Sequence, residues 1–342
     1  MRNLINSILF LLIALTGYGQ FKTKKYIKKN KKAPVYQYDN SDIYSRSIHY
    51  SNDRLFIGNS NGALYYYKIS TGKSKLLFKL PSFTEMRDIA FVNSTILGIS
   101  SGDNGQMLKM DLNGSLKVHA PNYWKGVFLD GMDFYNNTGF MMGDPVDKAF
   151  SLFYTNNGGQ SWQACEGKVK AFKGEAGFAA SGTNVQVLND STFVFASGGM
   201  KSRFFKSTDK GKAWTIIELP YYPGESTGAY SLHFANDSIG VIVGGDYKDP
   251  DIRLNVCFYT KDGGESWFNA EHPVRGYRSC VTEKNGIFYS CGRNGIDFSK
   301  NGGVDWIPFA DGTYFSMTTS ENQLIATMKN GTIKFFELIG IE

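Results

Sequence analysis

The sequence predicts an all-β fold, a seven-bladed β-propeller of four-stranded antiparallel blades. Three observations predict it. First, apolar spacing with a helical period is hard to find in the 342 residues, whereas short β-branched and aromatic runs alternate with Gly- and Asn-bearing turns. Second, an Asn turn followed by a short apolar strand and a glycine recurs along the chain. With Asn52, Asn93, Asn136, Asn189, Asn236, Asn285 and Asn322 as markers, the intervals are 41, 43, 53, 47, 49 and 37 residues, the period of a propeller blade. Third, the frame [ST]-x-[DN]-x-G-x-x-W is written four times: TNNGGQSW at 155–162, STDKGKAW at 207–214, TKDGGESW at 260–267 and SKNGGVDW at 299–306.

The elements follow in order. Residues 1–19 read as a signal peptide: Arg2 is a positive start, residues 4–16 are apolar but short for a bilayer span, and Gly17 and Gly19 mark a cleavage site before Gln20. Residues 20–32 are a Lys-rich linker. Its seven lysines oppose export in the sense of the positive-inside rule, so an N-terminally membrane-tethered chain is the alternative to a periplasmic or secreted one. The formal net charge is +6, and Arg2 with those seven lysines supplies eight positive charges, which leaves −2 for the rest. The basic balance therefore belongs to the tail, and no nucleic-acid groove is implied. Membrane contact is expected only through that tail.

Residues 33–342 form the propeller. Each unit opens with an inner strand such as SLHFA, turns into the most apolar strand (IGVIVGG), continues through a more amphipathic one (VCFYT) and ends in a polar turn and an outer strand. The last unit has material for three strands, TYFSMTTS, NQLIATM and TIKFFELI; APVYQYD at 33–39 is the expected fourth, closing the ring and removing the free edges.

The tryptophan frames fall between the third and fourth strands of their units. Asn157, Asp209, Asp262 and Asn301 are placed to accept bonds from their own turns. Gly159, Gly211, Gly264 and Gly303 supply positive φ, and Trp162, Trp214, Trp267 and Trp306 fold back between sheets. Isolated acids on separate blades argue against a metal site and for a scaffold joint. Of the cysteines Cys165, Cys257, Cys280 and Cys291, an Asn285-Gly286 hairpin sets Cys280 opposite Cys291, as a cross-strand disulfide or as two buried thiols.

The frame matches the Asp-box, or BNR repeat, of sialidase-like propellers. Together with MGDP at 142–145, GEAGFAASGT at 174–183, FFKSTDKGKAW and VGGDY at 243–247, the chain resembles a secreted bacterial group of such propellers, similar to the photosystem II stability/assembly factor family. The resemblance implies a non-enzymatic role in which the propeller binds another protein during assembly. The partner expected here is a protein or extracellular polymer, and no cofactor is called for: the sequence has no GxGxxG after a strand, no haem-attachment motif and no clustered metal ligands.

Binding is expected at the channel mouth, where the inner strands begin. The residues there are Arg46, Arg87, Asp88, Asp130, Ser181, Tyr230, Tyr277, Arg278 and Tyr314, with Glu175 and Asp246 in nearby Gly-rich loops. Arginines from three blades suit bidentate capture of a carboxylate; the plainer reading is a set of solvated, mutually balanced charges. The alternative function is a sialidase-like glycoside hydrolase or a lectin. A hydrolase would cast Arg46, Arg87 and Arg278 as the triad, Tyr277 or Tyr314 with Glu175 as the nucleophile pair, and Asp88 as acid/base. Against it, SRSIHY stands where that family has Arg-Ile-Pro. His49, His119, His233 and His272 are scattered over four units.

Overall fold

In the computed structural model, which describes residues 43–79, 85–102, 105–178 and 180–338, almost every regular element is a strand, and the strands make seven antiparallel sheets in chain order. The chain is a seven-bladed β-propeller. The inner strands are Ser45–Ser51, Met86–Val92, Leu129–Tyr135, Val185–Val187, Thr227–Phe234, Arg278–Lys284 and Met317–Thr319. All seven Asn markers lie in the hairpins that leave these strands. Asn52, Asn93, Asn136 and Asn285 take positive φ, while Asn189 and Asn236 accept backbone N–H groups of their own turns.

Burial grades outward as the strand text implies. The second strand of each blade is packed on both faces: Thr95–Ser100 and Gly240–Asp246 are buried along almost their whole length. The outer strand Lys73–Lys79 is mostly exposed. Apolar side chains from adjacent blades interleave; Leu97, Ile99 and Met107 of the second blade pack with Met132, Met141 and Trp162 of the third. Among the described residues the seventh sheet has three strands; the expected closing strand at 33–39, like the signal peptide and linker, lies outside them.

The ring is nevertheless stitched at every junction, near the channel, by side chains that bond the next blade. Ser47 Oγ donates to Met86 O (2.9 Å), Met132 N to Asp88 Oδ2 (2.8 Å), Val187 N to Asp133 Oδ2 (2.8 Å) and Phe234 N to Gln186 Oε1 (2.7 Å). Val281 N donates to Ser231 Oγ (2.8 Å), Ser279 Oγ to Phe315 O (2.9 Å) and Thr327 Oγ1 to Ser45 O (2.7 Å). Inner strands of neighbouring blades diverge and cannot share a ladder, so short polar side chains satisfy backbone groups that would otherwise be buried and unpaired.

The fourth blade departs from the repeat. Before its inner strand, Glu175–Ala176 pairs with Gly198–Gly199, which in turn bridges Gly228 of the fifth blade and so extends the fifth sheet. The loop that continues from there crosses the channel. Ser181 Oγ donates to Ser279 O on the sixth blade (2.8 Å), and Gly182 approaches Asp88 of the second so closely that a Cβ would lie 2.4 Å from its carboxyl carbon. This crossing closes the channel and makes a floor.

The hairpin 284–287 has the expected register, Lys284 opposite Ile287 and Cys280 opposite Cys291. All four cysteines are buried free thiols.

Candidate functional site

Above that floor lies a cavity of about 420 Å³ at the mouth where the inner strands begin. What aims side chains into it is a repeated irregularity. In five blades the pairing of the inner strand with its neighbour skips one residue near the start of the strand: Arg46, Arg87, Asp130, Tyr230 and Ser279. All five line the cavity. A β-bulge leaves one residue out of the ladder and bends the strand, re-aiming that side chain.

Of the residues the sequence placed at the mouth, Arg46, Arg87, Asp130, Tyr230, Tyr277 and Tyr314 line the cavity. The others do not. Arg278 is fully buried, paired with Asp297; the bulge in its strand falls on Ser279, one residue later. Glu175 is buried in a two-pronged pair with Arg203 (2.7 and 2.6 Å) and also accepts from Ser197 Oγ and Phe172 N. Asp88 is a stitch between blades, accepting from Ile89 N and Met132 N. Ser181 holds the crossing loop. Asp246 accepts from Lys248 N at the rim. The arginine triad and the Tyr–Glu nucleophile pair drawn from the sequence are therefore not assembled here: Arg278 and Glu175 are each committed to a structural partner.

The structure brings in residues the sequence did not single out. Asp144 and Phe128 come from the third blade, Gly177 and Phe178 from the crossing loop, Tyr247 from the fifth, Arg293 from the sixth and Phe315 from the seventh. Asp144 stood in the MGDP stretch, but its place became visible only with the extended strand Thr138–Val146.

One wall is charged. Glu85 lies between two arginines, Oε1 3.1 Å from Arg46 Nε and Oε2 2.9 Å from Arg87 Nη2. Ser101 Oγ accepts from Arg87 Nε (2.9 Å), and the Arg87 guanidinium sits over the Phe128 ring at 5.1 Å. The lining is also aromatic. Tyr230 is 4.7 Å from Phe178 and 4.9 Å from Tyr277, ring centre to ring centre, with Tyr247 at 6.5 Å from both tyrosines. Burial raises the phenol pKa values of Tyr230 and Tyr277, so both are neutral donors at physiological pH.

The lining also holds a carboxyl pair, Asp130 and Asp144. Asp130 is 1% exposed, and among the described residues no hydrogen-bond donor reaches either of its oxygens. Asp144 accepts from Gly177 N at 2.8 Å. Burial, and then the Asp144 carboxylate, push Asp130 well above the ordinary carboxyl range. Burial raises Asp144 as well, against the Gly177 N–H and the Arg87 charge. Two adjacent buried carboxyls disfavour ionising together, and both are pushed toward the neutral form, Asp130 the further.

At the blade edge each tryptophan frame closes a turn in one way. In the second copy, Ser207 Oγ donates to Asp209 Oδ1 and accepts from Gly211 N (both 2.8 Å), while Asp209 Oδ1 also accepts from Ala213 N (3.0 Å). The other three repeat the pattern at Thr155/Asn157, Thr260/Asp262 and Ser299/Asn301. The glycines take φ near +80° to +90°. Hydrogen bonds from Ser266 hold the Asp262 carboxyl down at about 2. The tryptophans reach back to the preceding blade: Trp214 packs 5.7 Å from Phe140 and Trp267 5.0 Å from Phe204. No group of three His, Cys, Asp or Glu residues suited to a metal occurs among the described residues.

Comparison with known proteins agrees with the fold. A sortilin family model (Sortilin-Vps10; "Sortilin, neurotensin receptor 3") matches residues 150–301, less than half of the chain. Among solved structures, an inactive H270A virginiamycin B lyase from Staphylococcus aureus with quinupristin is 13% identical, at TM-score 0.64, covering 91% of this chain and 100% of its own. The WD40 β-propeller domain of Doa1 is 10% identical, at TM-score 0.65, covering 91% and 98%. The Pan2 WD40 domain of Neurospora crassa is 10% identical, at 0.62, covering 93% and 98%. No curated protein matches the sequence.

Proposed function

We propose that this propeller is an exported, non-enzymatic binding protein that takes a protein or extended polymer at the cavity mouth. The observation that carries the reading is the cavity itself: arginine and tyrosine side chains from separate blades, held by bulges and a crossing loop, around a closed floor. A preformed concave site with a few placed polar groups among aromatics is the usual form of a binding site, and Tyr and Arg are the usual anchors. We read the four turns as Asp-boxes that join blades, in keeping with the resemblance to secreted BNR propellers and the photosystem II assembly factor family. The match to a family named as a receptor supports recognition as the activity. Export rests on the apolar segment at 4–16.

The test is an affinity pull-down with the mature protein beside an Arg46/Tyr247/Arg293→Ala variant, read by mass spectrometry. Tyr247 and Arg293 are exposed and Arg46 half-buried, so the variant keeps its core. A partner captured by the first and lost from the second is expected; identical partners from both overturn the site.

One observation favours a second reading, a glycan hydrolase or lectin: the Asp130–Asp144 pair beside Arg87 is a carboxyl couple in a cleft. Turnover of a glycoside or sialoside panel that Asp130→Asn abolishes is what this reading requires.

A further inference from the structure

Two cysteines face one another where the sixth blade meets the crossing loop. Asn285 and Gly286, both at positive φ, make a two-residue turn that sets Cys280 of the inner strand directly opposite Cys291 of the next. Opposed residues of an antiparallel pair hold their Cα atoms about 4.5–5.5 Å apart, inside the about 4.4–6.8 Å that a disulfide spans, with both side chains on one face. The two thiols touch: the Cys291 S–H lowers the Cys280 thiol to about 7 against its burial, while burial, and then Cys280, raise that of Cys291. Among the described residues neither of the other cysteines faces a second one. Cys165 packs among apolar side chains of the third and fourth blades, and Cys257 among those of the fifth and sixth. Burial raises both of their thiols, Cys165 to about 12. Cys280 also meets the crossing loop. Thr183 Oγ1 lies 3.8 Å from Cys280 Sγ, 2.6 Å from Ser181 Oγ and 2.5 Å from Ser231 Oγ, and Ser181 Oγ donates to Ser279 O. The thiol pair is built into the spot where the loop that floors the cavity lands on the sixth blade.

We propose that Cys280 and Cys291 join as a cross-strand disulfide that fixes this hairpin beneath the crossing loop. The step is a two-electron oxidation by thiol–disulfide exchange. Two S–H bonds break and one S–S bond forms; the two protons and two electrons pass to a disulfide oxidant, which leaves as two thiols. Both cysteines are 0% exposed, so the exchange occurs while the chain is folding, before Tyr314, Met317 and Leu324 of the seventh blade pack over them. The proposed export brings the chain to a compartment that supplies such an oxidant. The link restricts the unfolded chain and leaves the native register as it is.

The experiment is refolding of the denatured, reduced mature chain with oxidised and reduced glutathione, followed by thiol counting in denaturant and peptide mapping by mass spectrometry. The expected product keeps Cys165 and Cys257 as its two free thiols, has a mass about 2 Da below that of the reduced chain, and carries one disulfide joining the peptides of Cys280 and Cys291. Reduction of that product, with its near-UV circular dichroism unchanged, should lower its urea midpoint and speed amide exchange in residues 180–183 and 280–291, with the second blade unaffected. Cys280→Ser should leave three free thiols and a urea midpoint that reductant no longer moves. If that variant does not fold, the disulfide map and the reduction series of the unsubstituted chain decide by themselves. Four free thiols in the folded product overturn the proposal. So does a disulfide through Cys165 or Cys257, or a Cys280–Cys291 disulfide whose reduction leaves both the urea midpoint and the exchange unchanged.

Discussion

At the residue scale, small stereochemical facts decide what each repeat contributes. The box glycine is one. Gly211 has φ +79°, and a Cβ there would lie 2.5 Å from Cys165 Sγ of the third blade. Gly114 has φ +90°, and a Cβ there would meet nothing within 4 Å. Gly114→Ala should therefore cost about 1 kcal/mol, the backbone penalty alone, and Gly211→Ala about 2–4 kcal/mol, with packing added. Urea denaturation of the two variants checks this; equal losses would mean that the box turn yields without strain. The bulge residues are the other fact. Arg46, Arg87, Asp130 and Tyr230 were legible at the starts of the inner strands because the apolar run begins just after them. Arg278 was not, because a bulge is a register property of two strands, and one strand's text does not say whether the skipped residue is Arg278 or Ser279.

At the element scale, the crossing loop is what turns a tunnel into a cavity. Its anchor is the Glu175–Arg203 pair, whose side chains are 0% and 8% exposed. Removing one partner of such a pair strands a buried charge. Arg203→Met should lower stability by about 3–5 kcal/mol and loosen residues 172–183, seen as faster amide exchange in that loop than in the inner strands of the second and sixth blades. Protection unchanged in the loop would show that the Ser181–Ser279 bond suffices to hold it. The Gly-rich composition of 174–183 marked a loop, yet composition does not reveal where a loop goes; contacts with Asp88 and Ser279 on other blades do.

At the scale of the whole molecule, the ring closes where the first and seventh blades pack together. First and last blades meet through Thr327 Oγ1 on Ser45 O, Asn330 N on Ile43 O and the Tyr44–Lys329 bridge. Thr327 is fully buried, so Thr327→Val keeps its shape and removes a hydroxyl that serves both Ser45 and Ser316. A loss of about 1–3 kcal/mol is expected. Because both ends of the ring are coupled there, exchange protection should fall together in the first and seventh blades and hold in the fourth. A uniform fall would show that the ring opens elsewhere.

By itself the sequence determined the all-β class, the count of seven blades, the hairpin turns, the box turns and the Cys280–Cys291 register. Each is a local matter: turn chemistry, strand period and a two-residue hairpin act within a few residues of one another. Only the tertiary structure decided which side chains share the cavity. Asp130 and Asp144 meet across a hairpin, Glu85 gathers arginines from two blades, and a loop of the fourth blade supplies the floor beneath all of them. The physical reason is that the site is made of residues far apart in the chain, and its chemistry, two adjacent carboxyls pushed toward the neutral form, comes from burial and proximity that no single strand carries.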